Sequence, residues 1–183
     1  MSVGTPDFKT PEYIKKAVAE AAMDDNNWKY SLRDLPELLD AVCIYYKKRF
    51  DVELTPDMVM TVYGSQEGMG HLGMALCDEG DTVLLPDPCY PVFAAGSLMA
   101  GAVPYYYPLV AEHDFLPYVK GIPEEIANKA KYMVVSLPSN PVGSIATPGL
   151  YEEIVEFAKK YDILIIHDNA YSDIISVSYT HLT

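Results

Sequence analysis

Groups able to do chemistry stand at the ends of apolar runs in this sequence. In "ILIIHDNAYSD", Ile163 to Asp173, four apolar residues suited to the middle of a sheet lead into His167 and Asp168, and Tyr171 follows three positions later. A carboxylate at the end of a buried run must be satisfied by an internal cation, by backbone donors or by a ligand. Asp168 could equally cap a following helical turn. His71 and His113 show no ligand spacing with His167, so His167 reads as a packing or hydrogen-bonding histidine and no metal is expected.

Three further loops follow short apolar runs. Gly64-Ser65-Gln66-Glu67-Gly68 leads into helical sequence; its small residues let backbone N–H groups approach an anion, although a plain strand-to-helix turn reads the same way. Pro86-Asp87-Pro88-Cys89-Tyr90-Pro91 holds three prolines and presents Tyr90 from a stiff loop, where its ring could stack on a planar ligand or simply pack on the surface. Pro138-Ser139-Asn140-Pro141-Val142-Gly143 offers the Asn140 amide from a rigid turn, or marks a turn and nothing more.

The elements that must position these groups are legible as alternating patterns. Strands are expected at 59–63 (VMTVY), 82–86, 103–107, 131–137 and 162–167, and helices at 66–77, 91–100, 123–130 and 148–161. In the last helix Thr147 should cap, Pro148 should start, and Leu150, Ile154, Phe157, Ala158 and Tyr161 make one apolar stripe. Upstream, Thr10 and Pro11 open a helix ended by Asn26-Asn27, and a second helix runs from about Leu35 to Arg49. Apolar strands separated by helices imply an α/β fold: a mostly parallel sheet covered by helices on both faces. Ligands of such sheets collect beyond the carboxyl ends of the strands.

Half of the 183 residues are hydrophobic, which suits a soluble globular domain. A formal charge of -13 disfavours nucleic acid, whose phosphates need clustered Lys and Arg. No apolar run reaches the roughly 20 residues of a membrane span, and "MSVGTPDFKT" lacks the regions of a signal peptide, so a cytoplasmic protein is expected. Cys43, Cys77 and Cys89 form no CxxC pattern and read as thiols in a reducing compartment.

Taken together, "VGTPDFKTP", "YGSQEG", "PDPCYPVF", "PSNPVG" and "HDNAYSD" resemble the class I and II aminotransferases, fold-type-I enzymes dependent on pyridoxal 5'-phosphate (PLP), in family order over about Ser2 to Asp173. Val142 stands where the family's NPTG motif has Thr. The resemblance implies that Ser65 and the Gln66 backbone hold the cofactor phosphate, that Tyr90 stacks on the pyridine ring, and that Asn140 and Tyr171 hydrogen-bond its phenolic oxygen. It further implies that Asp168 faces the ring nitrogen, that Gly4, with Asn140, lies near the substrate, and that Tyr30 reaches the cofactor phosphate of the neighbouring subunit in a homodimer. Amino acids and 2-oxo acids would be the substrates, with a lean toward the branch of LL-diaminopimelate aminotransferases.

The family's cofactor-binding lysine lies a few dozen residues beyond the aspartate, yet all eleven lysines here precede Asp168, the last being Lys160. The expectation is therefore a helical segment over 1–50, a partial PLP-binding large domain over 51–175 and a non-native tail over 176–183, together forming a fragment that does not transaminate by itself. A PLP-dependent carbon–sulfur β-lyase of the same fold, or a non-catalytic α/β binding module, are the alternatives.

Overall fold

The computed structural model describes residues 8–175, so Gly4 and the tail 176–183 lie outside the described residues. The chain forms two compact units, Met1–Lys48 with Glu53–Met60, and Arg49–Val52 with Thr61–Thr183. In the first, α1 spans Glu12–Ala22 and α2 begins at Pro36 and runs to Phe50. Pro11, not Thr10, is the N-cap residue of α1, one position later than its sequence suggests. Its C-terminal carbonyls are taken by side chains: Asn27 Nδ2 donates to Ala21 O at 2.8 Å and Trp28 Nε1 to Ala22 O at 2.9 Å, while Asn26 bonds instead to Asp24 Oδ1.

The second unit is built on a four-stranded parallel sheet in the order β2-β1-β3-β4, comprising β1 (Thr82–Asp87), β2 (Val103–Pro108), β3 (Ala130–Ser136) and β4 (Leu164–Asp168). Alternate residues face opposite layers. Val83, Leu85, Tyr132, Val134 and Ile166 pack with Phe93 and Met69, on the side of α3 (Ser65–Leu76) and α4 (Val92–Met99). Leu84, Met133, Val135 and Ile165 pack with Ile154 and Ala158 of α6 (Leu150–Tyr161) and with Ala127 of the short α5 (Glu124–Ala127). Helices thus cover both faces, as the apolar strands require.

The α3–α4 layer depends on two glycines. A Cβ on Gly73 would overlap the Gly96 carbonyl carbon and Ser97 N, and one on Gly96 would overlap Gly70 O. Only bare backbone permits this approach. Gly70 meets Val92 and Gly73 meets Gly96, so the two helices begin at the same end of the sheet, where β1 hands over to α4.

Four expectations are corrected. Residues 59–63 are not a strand: Gly64 N bonds to Val62 O at 2.9 Å and Tyr63 N to Glu67 Oε2 at 2.6 Å, so the run's backbone serves the start of α3 instead of a ladder. The last helix starts at Leu150 because Gly149, at φ 85°, adopts a left-handed conformation that cannot continue into a helix upstream. α5 is cut to four residues because Ala130 already pairs with Thr82. Finally, β4 is an edge strand among the described residues, with Leu164 52% exposed, where its apolar sequence suggests the middle of a sheet.

Candidate active site

The strand order places a topological switch between β1 and β3, since the chain leaves β1 for β2 on one side and returns to β3 on the other. Crevices at such points, beyond the carboxyl ends, receive ligands. The loops that open there are Asp87–Pro91 and Leu137–Gly143, with the end of β4 beside the second.

Asp168 closes β4 in register with Ser136. Ser136 Oγ donates to Asp168 Oδ2 at 3.0 Å, and Leu137 N donates to Asp168 O at 3.3 Å. Ser136 and Asp168 stand two residues beyond Val134 and Ile166 and so share their face, which puts the half-buried carboxylate on the α3–α4 side of the sheet. The serine partner is not evident from the sequence. The pairing becomes visible only with the parallel register.

On that side, α3 starts at Ser65 after Gly64, with no side-chain cap, so the first-turn N–H groups of Ser65 and Gln66 carry the partial positive charge that suits a phosphate. Tyr90 is 36% exposed and rests edge-on against Phe93, with ring centroids 6.1 Å apart and planes at 77°. Cys89 beside it has its thiol pushed up by burial, then by Asp87, so it stays protonated and unreactive.

Asn140 and Tyr171 come together: Asn140 Nδ2 donates to the Tyr171 hydroxyl oxygen at 3.4 Å. That leaves the phenol proton of Tyr171 for another acceptor. Both line a cavity of about 420 Å³, with Pro138, Gly143, Ile145 and Ile174 among its walls. Asp168, Tyr90 and Ser65 are not among the residues lining that cavity. Tyr30 belongs to the other compact unit and is 91% exposed.

His167 points the other way, into the α6 layer. Its Nε2 lies 3.2 Å from the Tyr151 hydroxyl and 3.3 Å from Leu137 O, and its ring meets Tyr151 edge-on at 5.3 Å. Burial lowers its pKa, against smaller opposing effects of the Leu137 hydrogen bond and the Asp168 charge. It is the hydrogen-bonding histidine that its sequence context suggests.

A doubly wound α/β domain, with an anion-ready helix N-terminus, an aromatic ring, an amide–phenol pair and a carboxylate spread over its strand ends, is the class of protein these features define. The family model described as aminotransferase class I and II matches residues 1–180. The chain is 43% identical over 176 residues to LL-diaminopimelate aminotransferase of Aquifex aeolicus, covering 95% of this chain and 46% of that protein. It is 44% identical over 174 residues to the enzyme of that name from Halothermothrix orenii, covering 94% and 45%. Among solved structures, a probable N-succinyldiaminopimelate aminotransferase from Thermus thermophilus superposes with a TM-score of 0.87 at 35% identity, covering 94% of this chain and 47% of that one. The chain belongs to the class I and II aminotransferase family, whose enzymes depend on PLP. It spans less than half the length of these relatives.

Proposed function

We propose that the chain supplies the ring- and phosphate-holding part of a cytoplasmic aminotransferase that moves an amino group between an amino acid, LL-diaminopimelate in the reading its relatives favour, and a 2-oxo acid. Bound PLP would supply an electron sink for the charge left when a proton departs the substrate Cα. The residues present fit that group. Ser65 Oγ and the first-turn N–H groups of α3 suit a phosphate, and the Tyr90 ring suits a planar heterocycle. Asn140 Nδ2 and the Tyr171 hydroxyl can both donate to a phenolic oxygen. Asp168, held by Ser136 on the α3–α4 side, would keep a pyridine nitrogen protonated, because a desolvated anion stabilises the charged form of its neighbour. That placement of Asp168 is the observation that carries the reading.

In this proposal Tyr30 contributes to the cofactor phosphate of a second subunit, Gly4 with Asn140 lies near the substrate, and the complete enzyme is a homodimer. No lysine follows Asp168 in the 183 residues, so the polypeptide alone lacks the amine that would bind the cofactor covalently and carry the substrate proton, and it would not transaminate. Titration of the chain with PLP, read by absorbance before and after borohydride, tests this. Saturable binding weakened by Asp168→Ala, with no reduced adduct at any one lysine, is expected. Indifference to PLP with a response to a dinucleotide would replace the reading by a nucleotide-binding module. For a longer protein carrying this sequence, formation of pyruvate, ammonia and a thiol in place of a new amino acid would make it a β-lyase.

A further inference from the structure

The end of β3 is held in an unusual way. Leu137 N donates to Asp168 O, and a continued parallel ladder would give the Leu137 carbonyl to the N–H of residue 170. The chain has already turned at Asn169-Ala170, and Pro138 has no N–H to extend the pairing from its own side. His167 Nε2, 3.3 Å from Leu137 O, takes that place. A carbonyl only accepts, so for this contact to be a hydrogen bond the imidazole proton must sit on Nε2. Nε2 then cannot accept, and the Tyr151 hydroxyl oxygen, 3.2 Å from the same nitrogen, is a second acceptor competing for that proton.

Beyond this junction the turn is bonded to itself, Ser139 N to Ser144 O at 3.0 Å and Gly143 N to Ser139 O at 2.8 Å, and it is anchored at its far side by Ser144 Oγ on Phe115 O at 3.0 Å and by Val142 against the α6-side core, so Leu137–Pro138 is its anchor on the β3 side. The turn carries Asn140, which lies within reach of Tyr171 on the segment after β4. We propose that His167 is a positioning residue: its Nε2–H fastens Leu137 O to β4 and so holds the β3 side of the turn that keeps Asn140 opposite Tyr171. The role in ligand binding rests on the PLP reading above; the tether does not.

The test uses the 183-residue chain with three variants. His167→Phe keeps a ring but no donor, His167→Gln keeps a donor amide near the Nε2 position, and Tyr151→Phe removes the competing acceptor while keeping the ring contact. A long-range proton–nitrogen correlation should show the unsubstituted His167 protonated on Nε2. Amide exchange at Gly143, referred to Val134 in the core of β3, should rise about tenfold in His167→Phe, return to within about twofold in His167→Gln, and not rise in Tyr151→Phe. Affinity for pyridoxamine 5'-phosphate, which needs no lysine adduct, should follow the same order. A proton on Nδ1 with Nε2 bare, unchanged exchange in His167→Phe, or a folded His167→Gln no better than His167→Phe would overturn the proposal. If His167→Phe does not fold, His167→Leu, which also lacks the donor, takes its place in the same exchange comparison. Failure of the unsubstituted chain to bind pyridoxamine 5'-phosphate rejects the functional reading instead, and the tautomer and exchange rates still decide the tether.

Discussion

The two faces of the sheet differ in how their helices are held. On the α6 face, bulky side chains fill the layer: Tyr107, Leu84, Met133, Leu137 and Ile154 are almost wholly buried. On the other face the helices touch each other through bare backbone at Gly73 and Gly96. Filling space with side chains gives a layer that resists unfolding, because each buried apolar group adds its own transfer and packing energy. Backbone contact adds little apolar area but fixes the position of α3 closely. The face that carries Asp168, Ser136 and the start of α3 also buries Val83, Leu85, Phe93 and Tyr132, but adds a close backbone fit between its helices, whereas the face behind it holds by bulk.

That contrast can be broken by two substitutions. Ile154→Ala removes a side chain only 1% exposed from the bulk-filled face and should cost about 2–5 kcal/mol of unfolding free energy, read from denaturant curves, while leaving the affinity for pyridoxamine 5'-phosphate nearly unchanged. Gly96→Ala adds one methyl against the backbone of α3 and should cost less, about 1–3 kcal/mol. It should nevertheless weaken that affinity more, because relieving the overlap moves α3 and with it Ser65. Equal effects of the two on affinity would show that the faces share the work.

How far the sequence discloses this architecture follows from where each signal arises. Runs such as VLLP and YMVV are apolar throughout because both of their faces are buried, so β1 and β3 stand out. VMTVY has the same β-branched character, but its backbone groups are taken by Gly64 and Glu67, a local competition that propensity does not register. The α6 stripe is legible since one helix side packs on the sheet; the start at Leu150 is not, because it is set by the conformation of Gly149. Among site residues, Asn140 and Tyr171 are 31 positions apart, yet the family resemblance expects them at one ligand atom, and they meet. Ser136 and the Tyr151–His167–Leu137 contacts depend on strand register, which neither composition nor spacing encodes.

A smaller effect sharpens the account of the bulk-filled face. Tyr107 donates its hydroxyl proton to Val134 O at 2.6 Å while almost wholly buried. Tyr107→Phe should cost about 1 kcal/mol in the same denaturant assay, the net value of one hydrogen bond. Burial raises the Tyr107 pKa well above its ordinary value. Above about pH 10 the unfolded chain releases this proton and the folded chain keeps it, so stability is lost as pH rises, and Tyr107→Phe should reduce that loss.

The smallest expected effect lies at the acid end of the same face, at His167. Its pKa is lowered, mainly by burial. Above about pH 6.5 the imidazole is neutral in both states and contributes no pH dependence. As pH falls below that value the unfolded chain takes up a proton that the folded chain still refuses, so the unfolded state binds more protons and stability declines until the folded pKa is passed. Unfolding curves recorded from about pH 7 downward, before the carboxylates titrate, should therefore slope toward lower stability for the parent and be flatter for His167→Gln. Parallel curves would mean that the ring takes up its proton equally well in both states, through local opening of the Tyr151 and Leu137 contacts. The α6 face would then be loose where it meets the strand end, and the division between a bulk-held face and a fitted one would stop short of residue 167.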